Sequence, residues 1–184
     1  VVAWTPGATS AAGGFRLSVG SQFMQAVKVR QGALAFTNAA LYLIQFAGTS
    51  GYAPRLLSDK ISILGPKAAN TLNGVAYWAS TRGFYEYNGT VNELKCPLAQ
   101  WVYDRMNFFQ TWKTHVWVNP LFNEVWYFYV SEDSEEIDSY IIYNVNDKTW
   151  VPGAMERTVG LETGVFTLPR AAHNSGYIFA HAPG

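Results

Sequence analysis

The sequence predicts an all-β protein, a β-propeller-like array of antiparallel hairpin blades with at most one short helix. The first observation is a hairpin pattern, two apolar runs around a polar break, at residues 34–46, 75–89 and 125–144, with a weaker copy at 171–181. Short apolar runs that repeat every roughly 40 to 50 residues are typical of propeller blades. The second observation is that 16% of the residues are aromatic, a type enriched in strands. Residues 1–184 are therefore interpreted as a single propeller-like domain or fragment.

The first strands follow from alternation and from turn residues. Phe23–Val29 alternates between two faces and predicts a strand. Leu56–Leu64, which ends in the apolar run Ile61–Leu64, predicts another strand, which stops at Gly65-Pro66. Ala68–Leu72 is compatible with a helical turn. Asn73-Gly74 between apolar runs is the strongest short-range hairpin signal, and it predicts the turn into the second repeated hairpin.

The second half of the chain contains the one candidate helix. Pro97–Asn107 has apolar residues every three to four positions, which predicts a short helix. His115–Val118 and Val125–Val130 predict a hairpin, and frequent turn residues divide 160–184 into short strands.

The repeat also predicts equivalent positions and open edges. Phe36, Trp78 and Phe128 should occupy equivalent places in successive blades. The chain opens in an apparent strand, Val1–Trp4, without an initiator Met. Three or four blades do not close a ring of the usual size and leave unpaired strand edges. We therefore expect part of a larger protein, or an array that other chains complete.

Composition limits the function classes. Only 14% of the residues are charged, against roughly 25% in an ordinary soluble domain, which indicates an exterior covered by other subunits. The zero net charge predicts no broad attraction to nucleic acid. No apolar run approaches the roughly 20 residues of a membrane span. The single cysteine, Cys96, excludes an internal disulfide and is interpreted as a small buried apolar residue.

The acidic run between the third pair of hairpin strands is the most prominent candidate for chemistry. It lacks the spacing of a calcium loop and is interpreted as a solvated hairpin tip, with a cation site or contact with a neighbouring subunit as alternatives; its members are Glu132, Asp133, Glu135, Glu136 and Asp138. The three histidines, His115, His173 and His181, lie far apart and predict no metal site. No catalytic motif and no phosphate-binding loop occurs, so we expect no catalytic, cofactor-binding or metal residues and no enzyme activity.

Aromatic and basic residues supply the remaining candidates. Six of the seven tryptophans are interpreted as packing between blades, with a sugar- or base-stacking platform as the alternative; they are Trp78, Trp101, Trp112, Trp117, Trp126 and Trp150. Twelve of the thirteen basic residues are noted as spread singly, unlike the stripe of a tight DNA binder; they are Lys28, Arg30, Arg55, Lys60, Lys67, Arg82, Lys95, Arg105, Lys113, Lys148, Arg157 and Arg170.

Several of these segments, in this order and spacing, resemble a family of virion proteins of tailed bacteriophages. The segments are Ala33–Thr37, Leu41–Ile44, Leu56–Pro66, Asn73–Trp78, Phe84–Gly89, Phe122–Tyr129, Asp138–Asn144 and Trp150. The family is the packaged-DNA stabilisation or tail-nozzle (tail tubular) type of structural protein in short-tailed phages. The resemblance covers about residues 30 to 184. Ala182 departs from it, because an acidic residue is expected after His181.

The resemblance implies a function in the virion, after synthesis in the host bacterial cytoplasm. It implies a homo-oligomeric ring, expected to be six-fold, below the portal and adaptor, in contact with other tail proteins. Such a ring forms the wall of the DNA channel and helps to retain and eject the genome, with weak, non-specific contact to duplex DNA. The alternative is a carbohydrate-binding β-propeller module for host attachment.

Overall fold

The computed structural model describes residues 13–48, 51–161 and 168–181. In this part of the chain, fifteen strands form four separate antiparallel sheets. The first sheet holds β1 Phe23–Val29, β2 Gly32–Thr37, β3 Leu41–Phe46 and β4 Tyr52–Ser58. The second holds β5 Ala69–Leu72, β6 Val75–Ser80, β7 Gly83–Tyr87 and β8 Val91–Leu94. The third holds β9 His115–Asn119, β10 Glu124–Tyr129, β11 Ser139–Asn144 and β12 Thr149–Ala154, and the fourth β13 Val159–Leu161, β14 Arg170–Ala172 and β15 Ile178–Ala180.

Each sheet is a meander in which strands that follow one another along the chain pair side by side. The predicted all-β class is therefore confirmed. The predicted hairpins correspond to β2–β3, β6–β7, β10–β11 and β14–β15. Among the described residues the sheets form an open array, with no closed propeller. The apparent strand Val1–Trp4, residue Ala182 and part of the stretch 160–184 lie outside the described residues.

The Asn73-Gly74 turn has the conformation that the sequence predicts. Asn73 and Gly74 have φ angles of 54° and 78°, and they join directly paired Leu72 and Val75. Positive φ at both central residues defines the tight turn that matches the twist of paired strands. Ala68–Leu72 is compatible with a helical turn in sequence, but it is not helical in the structure, because Ala69–Leu72 pairs with β6 across this turn as strand β5.

One correction concerns residues 59–64. β4 ends at Ser58, so Ile61–Leu64 is not a strand, although the predicted stop at Gly65-Pro66 is correct. Ile63 and Leu64 are buried all the same, and the Leu64 amide donates to the Ala79 carbonyl at 2.9 Å. These apolar side chains are buried although they lie in a loop. A short apolar run of this kind cannot be distinguished from a strand by its sequence pattern alone.

The predicted helix is present and is followed by a second helical segment. α1 spans Ala99–Asp104, and a 3-10 segment that the sequence did not predict spans Phe108–Lys113 and is kinked at Gln110. Val102 is buried, and the hydroxyl of Tyr103 donates to the carbonyl of Ser80 at 2.7 Å, which fixes α1 to the second sheet. Within the described residues, no helix has the length and apolar character to cross a membrane.

Successive sheets contact one another through their first strands. β1 contacts β5 and β6, β5 contacts β9, and β9 contacts β13. The side chain of Gln25 in β1 makes two hydrogen bonds to the backbone of Ala69 in β5, at 2.8 and 3.1 Å. At the neighbouring hairpin turns, Arg30 donates to the carbonyl of Asn73, whose amide donates to Asn123 at 3.4 Å. The turns between first and second strands of three sheets therefore lie at one end of the array.

Aromatic rings fill the space between the sheets. Phe36 meets Trp78 with ring centroids 5.3 Å apart, and Phe84 meets Tyr127 at 4.7 Å. Phe36, Trp78 and Phe128 all lie in the second strand of their sheets, as the repeat predicts. Trp78 faces back to the first sheet, however, whereas Phe36 faces forward to the second. A shift of one residue along a strand moves a side chain to the opposite face of the sheet. The three residues therefore lie in equivalent strands, but their side chains do not all face the same way.

Candidate functional site

The three histidines do not meet. His115 is buried and stacks on Phe128 with ring centroids 4.8 Å apart, whereas His173 and His181 lie in the fourth-sheet region. Burial lowers the pKa of His115 to about 4, against a smaller opposing effect of the Lys113 backbone. In the described ranges, no group of three or more His, Cys, Asp or Glu side chains is placed to hold a metal ion.

His173 takes part in a contact that sequence reasoning missed. Its Nε2 lies 2.5 Å from Glu156 Oε2, and its Nδ1 lies 2.6 Å from Ser175 Oγ. The same Nδ1 accepts the backbone N–H of Ser175 at 3.0 Å, and the His173 amide donates to Tyr177. Because Ser175 is exposed and only two residues from His173, these bonds close the turn between β14 and β15. The contact is therefore a turn motif, although it contains the three residue types of a hydrolase triad.

Cys96 is half-buried beside α1. Burial raises the pKa of its thiol to about 11, and a hydrogen bond with the Leu98 backbone opposes this only in part. A thiol with a raised pKa is neutral and weakly nucleophilic near pH 7. These properties fit the interpretation of Cys96 as a packing residue.

The tryptophans divide into two groups. Trp78 and Trp117 are buried, and Trp126 and Trp150 are half-buried; Trp150 also donates to the carbonyl of Lys95 at 3.1 Å. Trp78, Trp117 and Trp150 contact rings of a neighbouring sheet or of the fourth-sheet region, as predicted, whereas Trp126 packs on rings of its own sheet. Trp117 packs so closely on Gly160 of β13 that a Cβ there would meet its ring at 2.9 Å.

Trp101 and Trp112 do not pack between blades, and for them the prediction was wrong. They are 39% and 60% exposed on the two helical segments, where Phe108 and Phe109 are 51% and 94% exposed. We call these four side chains the aromatic rim. The 3-10 segment that exposes Phe108, Phe109 and Trp112 was not predicted from the sequence, whereas the helix that carries Trp101 was.

Two cations lie against the aromatic rim. The guanidinium of Arg105 lies 4.7 Å from the Trp101 ring centroid, and the ammonium of Lys113 lies 5.3 Å from that of Trp112. Such contacts keep a cation over one face of each indole. Lys113 also pairs with Glu136 at 2.6 Å.

The acidic run forms a closed loop between β10 and β11. Asp138 is half-buried and accepts hydrogen bonds from the amide and the hydroxyl of Ser131, at 2.9 and 2.6 Å. Ile137 is buried in the core of the third sheet. The remaining four carboxylates are exposed, in agreement with a solvated tip; they are Glu132, Asp133, Glu135 and Glu136. We call residues 131–138 the acidic loop.

The acidic loop and the helical segments form one continuous surface. The amide of Glu132 donates to the carbonyl of Arg105 at 2.7 Å. The side chain of Asn107 donates to the carbonyl of Ser134 at 2.8 Å, and its own backbone amide donates to Val130. These bonds place the exposed carboxylates beside the aromatic rim, a juxtaposition that arises only in the tertiary structure.

The first sheet carries a separate, open cleft of about 760 Å³. Its lining includes Phe15, Leu17, Phe23 and Ile44, with Arg16 beside them. The cleft lies on the face of the first sheet that is turned away from the second, where Leu17 packs on a small buried cluster. The cleft is open and its lining is mixed in polarity, because Ser18, Ser21, Gln22 and Thr37 also border it.

The basic residues are distributed over the surface, as predicted. Lys28, Arg55, Lys67 and Lys148, for example, are exposed on four different elements or loops. A search of protein-family models and of curated proteins finds nothing that matches the chain.

Proposed function

We propose that this chain is a non-enzymatic structural component of a bacteriophage tail, of the nozzle or packaged-DNA stabilisation type. The observation that carries the proposal is the regular stack of meander sheets joined through their first strands. A stack of this kind, with aromatic rings between layers, is a mechanical scaffold. The resemblance described above supplies the tail role.

We interpret the four sheets as consecutive blades of a propeller that further strands complete. Blades arranged around an axis approach one another most closely at their inner strands, and here the first strands make the contacts between sheets. The two ends of the array also remain apolar. Phe46 and Tyr52 of the first sheet are 67% and 65% exposed, and Ile178 of the fourth is 68% exposed. Such ends favour packing against further blades or neighbouring subunits.

The same proposal includes a homo-oligomeric ring around the tail axis, six-fold by expectation, in contact with portal, adaptor and other tail proteins. Exposed basic residues distributed singly, such as Lys28 and Arg55, would touch passing phosphate without reading bases. Such contact is weak and salt-sensitive, which suits a channel through which the genome must slide.

Imaging of assembled particles tests this function. We expect the protein on the tail axis below the portal, as a ring of defined copy number, with native mass measurement of isolated tails giving the same number. A peripheral position in a host-binding fibre would contradict the proposal. Filter binding with duplex DNA should detect weak retention that is lost as salt rises from about 50 to about 200 mM.

A carbohydrate-binding module is the second candidate, and one observation favours it. Phe109 and Trp112 are strongly exposed next to the carboxylates of the acidic loop, and exposed rings with nearby polar groups are suited to stacking on sugars. Retention on a glycan array that is abolished by Trp112→Ala would support this candidate. The matched control is Tyr52→Ala, which removes an exposed ring from the first sheet.

A further inference from the structure

We propose that the aromatic rim and the acidic loop together dock a protein segment whose apolar side chains are flanked by Lys or Arg. The inference stands on this one surface and does not depend on the proposed tail role. It assigns an apolar and basic protein segment as the partner of exposed side chains that lie outside the sheets and the core.

The apolar half of the surface consists of rings that the chain itself leaves uncovered. Phe109 is 94% exposed, Trp112 60% and Phe108 51%, and all three lie within the kinked segment Phe108–Lys113. Isolated exposed apolar residues are ordinary, but several aromatic rings within six residues form a patch. Trp and other aromatic residues are also enriched among those that contribute most to protein–protein binding.

The charged half of the surface determines which sign of charge the partner should carry. Four exposed carboxylates of the acidic loop and exposed Asp104 of α1 lie on the segments that adjoin the aromatic rim. The nearby cations are Arg105 and Lys113; each lies over an indole ring, and Lys113 is also paired with Glu136. The carboxylates therefore outnumber the cations, and a basic partner has complementary charge.

The surface is held in place before a partner arrives. Backbone hydrogen bonds from Glu132 to Arg105 and from Asn107 to Val130 tie the acidic loop to the helical segments. Asn107 also caps the 3-10 helix, because its side chain accepts the amide of Phe109 at 3.0 Å. A pre-organised surface loses little conformational entropy on binding.

The same features argue against two other kinds of partner. Exposed carboxylates repel phosphate, so nucleic acid is disfavoured at this surface. One face of Trp101 and one face of Trp112 already hold a cation, which leaves fewer ring faces of the aromatic rim for stacking on a sugar. A protein segment needs only the exposed ring edges and the neighbouring carboxylates.

Fluorescence anisotropy with two labelled model peptides tests the proposal. One peptide alternates Leu with Lys, and the other has the same apolar pattern with Glu in place of Lys. We expect the Lys peptide to bind at least about tenfold more tightly, and its affinity to fall as salt rises from about 50 to about 500 mM. Equal affinity for both peptides would mean unselective apolar binding and would overturn the proposal.

Two variants locate the binding site, and one control checks it. Phe109→Ser and the pair Glu132→Gln with Glu135→Gln should each weaken binding of the Lys peptide about tenfold, whereas Phe46→Ser in the first sheet should not. These side chains are exposed, so the fold is retained. Unchanged binding in Phe109→Ser would place the site elsewhere. Displacement of the peptide by oligosaccharide would assign the surface to a sugar, and self-association of the free chain that Phe109→Ser abolishes would assign it to a second copy.

Discussion

Replacement of His115 by leucine tests how a buried ionisable ring makes stability depend on pH. His115 is 4% exposed and stacks on Phe128, and burial lowers its pKa to about 4. In the unfolded chain the pKa of a histidine is about 6.5. Between these two values the unfolded state binds a proton that the folded state does not bind, so the free energy of unfolding falls as the pH is lowered.

The size of the effect follows from the same two pKa values. The full shift corresponds to about 3.4 kcal/mol, which is reached only near and below pH 4. At pH 5 the unfolded histidine is almost fully protonated and the buried one is mostly neutral, so wild type has lost about 2 kcal/mol relative to pH 7.5 from this group. Leucine has a similar volume and no proton to bind, so the variant should lack this loss. His181, whose pKa burial also lowers, is present in both proteins and cancels.

Urea unfolding followed by tryptophan fluorescence at about pH 7.5 and about pH 5 provides the measurement. We expect the wild type to lose about 2 kcal/mol more than His115→Leu between the two pH values. His173→Gln is the control, because that ring lies on the turn between β14 and β15 and not in the core. Equal losses in wild type and His115→Leu would refute the view that His115 is neutral and shielded from water in the folded protein.

Three further substitutions test the packing and the acidic loop. Phe84→Ala should lower the free energy of unfolding in urea by about 3–5 kcal/mol, because its ring fills the space between the second and third sheets. Phe46→Ala, at an exposed ring, should lower it by less than about 1 kcal/mol. Similar losses in the two variants would contradict the assignment of the core. Gly160→Val should destabilise by about 1–3 kcal/mol by forcing a side chain into the neighbouring indole, while Gly13→Val, in open space, should be neutral; a neutral Gly160→Val would show that the third and fourth sheets do not pack as described. Glu136→Gln should lower stability by no more than about 1 kcal/mol, because its lysine pair is partly exposed; a loss several times larger would mean that the acidic loop is structurally essential.

The repeat and the turn residues determined most of the strand pairing. A hairpin is a local structure, since its register depends on a turn such as Asn73-Gly74 and on alternation along two short runs. The helix at Ala99–Asp104 was predictable for the same reason, from the spacing of its apolar residues. These features depend on residues close together in the chain, so one sequence suffices to find them.

The errors lie where packing between distant segments outweighs local pattern. Ile61–Leu64 is apolar because it lies under the second sheet, not because it pairs as a strand. Trp78, Phe36 and Phe128 occupy similar places in the repeat, yet the side chain of Trp78 faces the opposite way. Trp78 is offset by one residue along its strand, and the repeat pattern does not reveal an offset of that size.

The candidate surface depended most on the tertiary structure. The sequence identified the acidic run and Trp112 as separate features, but Glu132 follows Trp112 by 20 positions in the chain. Hydrogen bonds from Asn107 and Glu132 join the two segments, and the sequence does not encode such long-range contacts in any local pattern. The sequence by itself thus determined the strands and most of their turns, whereas only packing between sheets and loops decided which rings are buried, which remain exposed, and which charges lie beside them.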